Sequence, residues 1–170
     1  MNRVVHGIEW LSEAAGALVR WLVLLMVLLG AFNAVARYLG RSIGVQLSSN
    51  AFIEAQWYLF SLVFLLGAGY TLKHHGHVRV DVLYSKLGER AKRVIDLAGT
   101  MLLLVPFCVF GIVLSWPIVR NSWVVREGSP DPGGLPRYPI KAVILVAFVL
   151  LLLQGIAWAL RRARDRPDTA

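Results

Sequence analysis

Three histidines within four residues, His74, His75 and His77, form the densest set of metal-ligand side chains in the sequence. Haem ligation inside a membrane calls for histidines on facing helices, at a height where two rings reach one iron. These three follow one another at the end of an apolar run, without i,i+4 spacing, and their nearest acid is Asp81. They read as a hydrated interfacial cluster, with the fourth histidine, His6, well apart. Glu54 is the second candidate, because a carboxylate that opens an apolar run is either hydrated, paired or functional. Near a membrane interface it can stay hydrated or pair with a neighbour such as Arg37 or Arg41. The lone Cys108 offers neither a disulfide nor a paired thiolate site. It reads as a small apolar filler. The sequence holds no Gly-rich phosphate loop, nucleophile elbow or HExxH helix, and this points away from an enzyme.

The elements that must position these residues are four charge-free apolar runs: Trp21–Ala36, Ala55–Leu72, Leu97–Val119 and Ala142–Leu160, of 16, 18, 23 and 19 residues. About 20 helical residues cross a ~30 Å hydrocarbon layer. The first run reaches that length if its helix extends back through Ala14–Val19 and Arg20 snorkels to the headgroups. The chain is 57% hydrophobic and only 16% charged, and its apolar residues sit in runs rather than in amphipathic stripes. The sequence therefore predicts an all-α membrane protein of four transmembrane helices, a single membrane domain over residues 1–170. The spans fall at about 15–36, 54–73, 96–119 and 140–161, followed by a basic tail at 161–170. The net charge of +8 flanks the runs and forms no separate basic domain, so it speaks for membrane topology and not for nucleic acid. Twelve basic residues fall on the side of the termini and six on the other. Both termini are thus expected in the cytoplasm. Ala34-Val35-Ala36 resembles a leader-cleavage site, but the long stretch before it, with Glu9 and Glu13, fits a retained first span.

Between the spans, two segments carry helical apolar stripes: residues 1–20, and a cytoplasmic amphipathic helix over about 78–94 in which Glu89 and Arg93 form an i,i+4 pair. The outer loop is different. Residues 129–139 hold four of the seven prolines together with Gly133 and Gly134, which predicts a shaped turn. Pro139 suits the first turn of the fourth span. Pro106 and Pro117 are expected to interrupt the third. Gly67, Ala68 and Gly69 offer a small-residue surface for close helix packing, within the chain or against a partner, and Gly99, Gly111 and Gly155 are further possibilities.

Several stretches together resemble the small membrane subunit of tripartite ATP-independent periplasmic (TRAP) transporters. They are Asn33-Ala34-Val35-Ala36-Arg37-Tyr38, Glu54-Ala55-Gln56-Trp57-Tyr58-Leu59-Phe60, Phe64-Leu65-Leu66-Gly67-Ala68-Gly69-Tyr70 and Gly76-His77-Val78-Arg79-Val80-Asp81-Val82-Leu83. The resemblance implies a multi-pass protein of the bacterial inner membrane in a three-part importer of organic acids or similar solutes. Its partners would be a large multi-span subunit, a periplasmic substrate-binding protein and the phospholipid bilayer, with no nucleic acid. The chain itself would hold no cofactor, because the coupling sodium belongs to the large elevator-type subunit. Within this frame Glu54 and Arg37 are candidate polar contacts near the outer interface. Gly67, Ala68 and Gly69 are candidates for helix packing, and Asp131, Arg137 and Tyr138 for the binding protein. Two other readings stay open: a self-sufficient four-span transporter working as a homodimer, and a membrane anchor for a redox enzyme.

Overall fold

A computed structural model describes residues 2–74, 76 and 84–164, and all regular structure among them is helical. Helix α1 (Asn2–Ile43) has 42 residues and so runs about 63 Å, twice the thickness of a hydrocarbon layer. It ends where Gly44 adopts φ +71°, a left-handed conformation that a residue without Cβ reaches freely. The Val45 N–H then closes on the Gly40 carbonyl at 3.0 Å, the bond of a Schellman cap. The following segment crosses α1 closely: a Cβ on Gly40 would stand 2.4 Å from the Val45 carbonyl oxygen. Helix α2 (Asn50–Lys73) starts behind Ser49, whose hydroxyl accepts from the Ala51 N–H and so satisfies one orphan donor of the first turn.

Helix α3 (Glu89–Val124) continues through both prolines that were expected to interrupt it. Pro106 lacks an N–H, and its ring crowds the carbonyl four residues back, at Leu102. Thr100–Leu104 form a π-helical turn at this place, closed by the Val105 N–H on the Thr100 carbonyl. The wider turn absorbs the crowding without ending the helix. At the far end Arg126 takes φ +46°, and the Glu127 N–H bonds the Ser122 carbonyl at 3.0 Å. Helix α4 (Tyr138–Arg164) carries Pro139 in its first turn, where the missing N–H has no partner to lose.

α4 is the hub: it packs on α1, α2 and α3, and α1 packs mainly on α2. Close approach is set by glycines facing large side chains. A Cβ on Gly16 would stand 2.2 Å from the Tyr70 ring, one on Gly111 2.5 Å from Phe148, and one on Gly155 2.7 Å from Leu104. Ser12 Oγ donates to Gln154 Oε1 at 2.7 Å in the buried α1–α4 contact, so this polar pair is satisfied internally. Only 6% of the most apolar stretch of α1 is buried, against 28% for α4. Large side chains such as Trp21, Leu28 and Phe32 on α1, and Leu102, Phe110 and Trp116 on α3, are therefore left bare. Surface of this extent calls for hydrocarbon or another membrane subunit.

Of the amphipathic helix expected at about 78–94, residues 78–83 lie outside the described residues, and 85–88 form a turn instead of continuing a helix. Its described end, from Glu89, forms the first turns of α3, and there Glu89 pairs with Lys92 at 3.0 Å rather than with Arg93.

Candidate functional site

Asn50, Glu54 and Tyr58 follow at four-residue steps on α2 and so share one face. All three grip the loop between α3 and α4. Glu54 is 2% exposed, and its carboxylate accepts from Ser129 Oγ and, at 2.5 Å, from the Leu135 N–H. One turn before it, Asn50 Nδ2 donates to the Pro132 carbonyl at 3.0 Å. One turn after it, the Tyr58 hydroxyl donates to the Pro136 carbonyl at 3.1 Å. The loop is also tied to itself. The Asp131 N–H donates to Ser129 Oγ at 3.1 Å, the Gly134 N–H to the Asp131 carbonyl at 3.0 Å, and the Arg137 N–H to the Glu127 carbonyl at 2.8 Å. Gly133 takes φ +72°. A Cβ on Gly134 would stand 2.5 Å from Ser129 Oγ and 2.7 Å from Glu54 Oε2, so the two glycines turn the chain and let it reach the carboxylate.

A second carboxylate closes the base of the loop. Glu127 accepts from Lys141 Nζ and, at 2.7 Å, from Ser122 Oγ. These hydrogen bonds, from Lys141 first and Ser122 second, hold its carboxyl below the ordinary glutamate value, and the charges of Lys141 and Arg137 act the same way. Trp123 packs edge-to-face on Tyr138, with ring centroids 4.7 Å apart. The loop thus presents an exposed Asp131 at its tip, with half-buried Arg137 and Tyr138 at its foot.

Arg37 and Arg41, offered by the sequence as neighbours for Glu54, both line two adjoining cavities beside the end of α1 that Glu54 does not line. Glu54 takes its hydrogen bonds from the loop instead, because its face of α2 looks toward residues 75 to 81 positions away. The small residues divide as well. Gly69 faces α4, with its Cβ position 3.8 Å from the Leu150 carbonyl oxygen, whereas a Cβ on Gly67 would meet nothing within 4 Å. Gly67 and Ala68 line a groove of about 590 Å³ between α1 and α2. A Cβ on Gly99 would also meet nothing within 4 Å.

The opposite end of the bundle is held by charges. Lys73 Nζ and His74 Nε2 each lie 2.7 Å from Glu13 Oε1, Arg161 pairs with Glu9, and Arg162 Nε stands 3.3 Å from Asp96 Oδ2. The Tyr84 hydroxyl donates to the same Asp96 oxygen at 2.8 Å. His75 and His77 lie outside the described residues, and among the described ones no group of three metal-ligand side chains converges. The sequence reading missed Ser129 and Gln154. Gln154 carried a visible signal, as a lone amide within an apolar run, whereas Ser129 carried none.

A family model for the DctQ component of tripartite ATP-independent periplasmic transporters matches residues 26–165. No curated protein and no solved structure matches the chain. The matched residues take in α1 from Met26 onward, the other three apolar helices, the Asn50–Glu54–Tyr58 face and the loop it grips. The chain belongs to the DctQ family, the small membrane component of the TRAP transporters.

Proposed function

We propose that this chain is the non-catalytic small permease subunit of a sodium-coupled, binding-protein-dependent importer of organic acids or similar small solutes. It lies in the inner membrane with both termini cytoplasmic, braces the stationary scaffold of the large subunit, and offers the 127–137 loop to the binding protein. The observation that carries the docking role is the three-point grip of α2 on that loop. A surface already ordered before the encounter loses less entropy on binding. The bare faces of α1 and α3 support the bracing role, since they leave a broad apolar surface for the large subunit and for lipid. Gly67 and Ala68, on the open groove between α1 and α2, are assigned to contact with the large subunit. Substrate and coupling sodium are assigned to that subunit as well.

The test is sodium-driven uptake into liposomes holding the two membrane subunits, with the binding protein added outside. Arg137→Ala is expected to lower binding-protein-dependent uptake by about tenfold, the size of one lost charge-assisted contact, while the large subunit still co-purifies. Loss of the large subunit from the pull-down would make Arg137 a structural residue and remove it from the docking surface.

A further inference from the structure

Asn33, Arg37 and Arg41 follow at four-residue steps on α1 and so lie on one face of it. All three line a cavity of about 340 Å³ that they share with Gln56. The two arginines also line an adjoining cavity of about 470 Å³, walled by the 44–49 segment and the first turn of α2. No carboxylate lines either cavity, and neither arginine has an acidic partner among the described residues. Of the other cations at this end, Lys141 is paired with Glu127 and Arg137 lies within electrostatic reach of Glu54 and Glu127, while Arg120 and Arg126 line neither cavity. Asn33 is only 7% exposed, and its Oδ1 accepts from Ser48 Oγ at 2.9 Å. This orients the amide so that its Nδ2 hydrogens are left without an acceptor among the described residues. The face thus gathers the donors of Asn33, Arg37 and Arg41 with no carboxylate among them.

From this juxtaposition we infer that the Asn33–Arg37–Arg41 face binds the phosphate of an anionic phospholipid in the leaflet at this end of the bundle. A phosphate presents several acceptor oxygens to guanidinium forks and to an amide together. The first turn of α2 opens on the adjoining cavity that both arginines also line, and adds partial positive charge there. The level fits a lipid: Arg37 directly follows the apolar run ending at Ala36, and Val23 and Val27 stand exposed on the same side of α1, deeper in that run, for the acyl chains. Positive charge is sparse at this end of the chain, with six basic residues against twelve at the other. Two unpaired arginines on one face here therefore answer no topological need.

The test uses the full chain, purified with its membrane partner, in nanodiscs of phosphatidylcholine with a minor fraction of phosphatidylglycerol. Retained lipid is quantified by native mass spectrometry. Phosphatidylglycerol should be enriched on the wild-type complex, and R37Q/R41Q should lose that enrichment by about tenfold or more. R37K/R41K, which keeps the charge and loses the fork, should retain part of it. R37Q and R41Q alone, each at an exposed position, carry the same test if the double variant fails to assemble. Equal phosphatidylglycerol retention by wild type and variants overturns the inference. Binding of inorganic phosphate without preference for phosphatidylglycerol would overturn the lipid as occupant. So would loss of the binding protein with lipid retention unchanged, which would give the face to an acidic protein surface.

Discussion

Two glutamates at opposite ends of α2 are held in opposite ways. Glu54 is 2% exposed and is held by a hydroxyl and a backbone N–H, both from one loop. Glu13, on α1 beside the other end of α2, keeps its side chain 46% exposed and is held by a lysine and a histidine. Neutral, directional donors around a buried carboxylate fix the shape of the chain that supplies them, since any displacement leaves both sides unpaired. Ion pairs open to water fix little, because solvent and salt compete for both partners. The carboxylate at the loop end of α2 holds a surface in place; the Glu13 pair at the other end does not.

The largest effect expected from this contrast is that of Glu54→Ala. The substitution takes the acceptor from Ser129 Oγ and from the Leu135 N–H together. Hydrogen exchange at the Leu135 amide should accelerate by about ten- to a hundredfold, with α2 and α4 exchanging as before. Glu54→Gln should fall between, since one amide oxygen can still accept while the NH₂ meets donors. Unchanged exchange at Leu135 in the alanine variant would mean that Asn50 and Tyr58 suffice, and the contrast between the two glutamates would lose its basis.

A smaller effect is expected at the base of the loop, where Glu127 is about one-third exposed. Its carboxyl is held below the ordinary glutamate value of 4.5 by Lys141 and then Ser122. A depressed folded value means that the stabilisation is complete above 4.5 and is lost as pH falls through the lower folded value. Trp123, packed on Tyr138 near this pair, should report the change: its fluorescence should hold steady down to about pH 4.5 and shift below it. Lys141→Met should move the midpoint upward toward 4.5. A midpoint that ignores the lysine would show that the pair does not close the loop.

Much of the fold is legible in the sequence for a simple reason. Four charge-free runs long enough to span a membrane leave few alternatives to helices. The helix ends are less legible. α1 continues from Ala36 to Ile43 through Arg37, Tyr38, Gly40 and Arg41, because tertiary contact with the 45–47 segment and a cap at Gly44 decide its end, not hydropathy. The prolines of α3 misled for a similar reason: a local π turn absorbs Pro106, and composition does not record it. At the candidate site, Glu54 stood out as an acid that opens an apolar run, and the glycines and prolines of 129–139 announced a shaped loop. Their meeting was hidden, since the partners of Glu54 lie 75 and 81 residues away. The four-residue spacing of Asn50, Glu54 and Tyr58 was the one sequence signal that these positions act together.

The smallest effect is expected from Glu13→Gln, and it tests the other side of the contrast. The glutamine keeps an oxygen that can accept from Lys73, which also has the Glu9 carbonyl at 3.2 Å. His74 remains stacked near Tyr70, with ring centroids 4.4 Å apart. The loss is therefore one of charge in a place open to solvent, where the Debye length at physiological salt is about 8 Å. Exchange rates of amides at the α1–α2 contact should change by less than about threefold, and raising salt should bring wild type and variant together. The buried Ser12–Gln154 bond and the Gly16–Tyr70 contact lie beside this cluster and stay intact, so the helices keep their register without the pair. A large, salt-independent change on Glu13→Gln would instead place the charge cluster among the forces that hold α1 to α2, and the two ends of the molecule would then follow one rule rather than two.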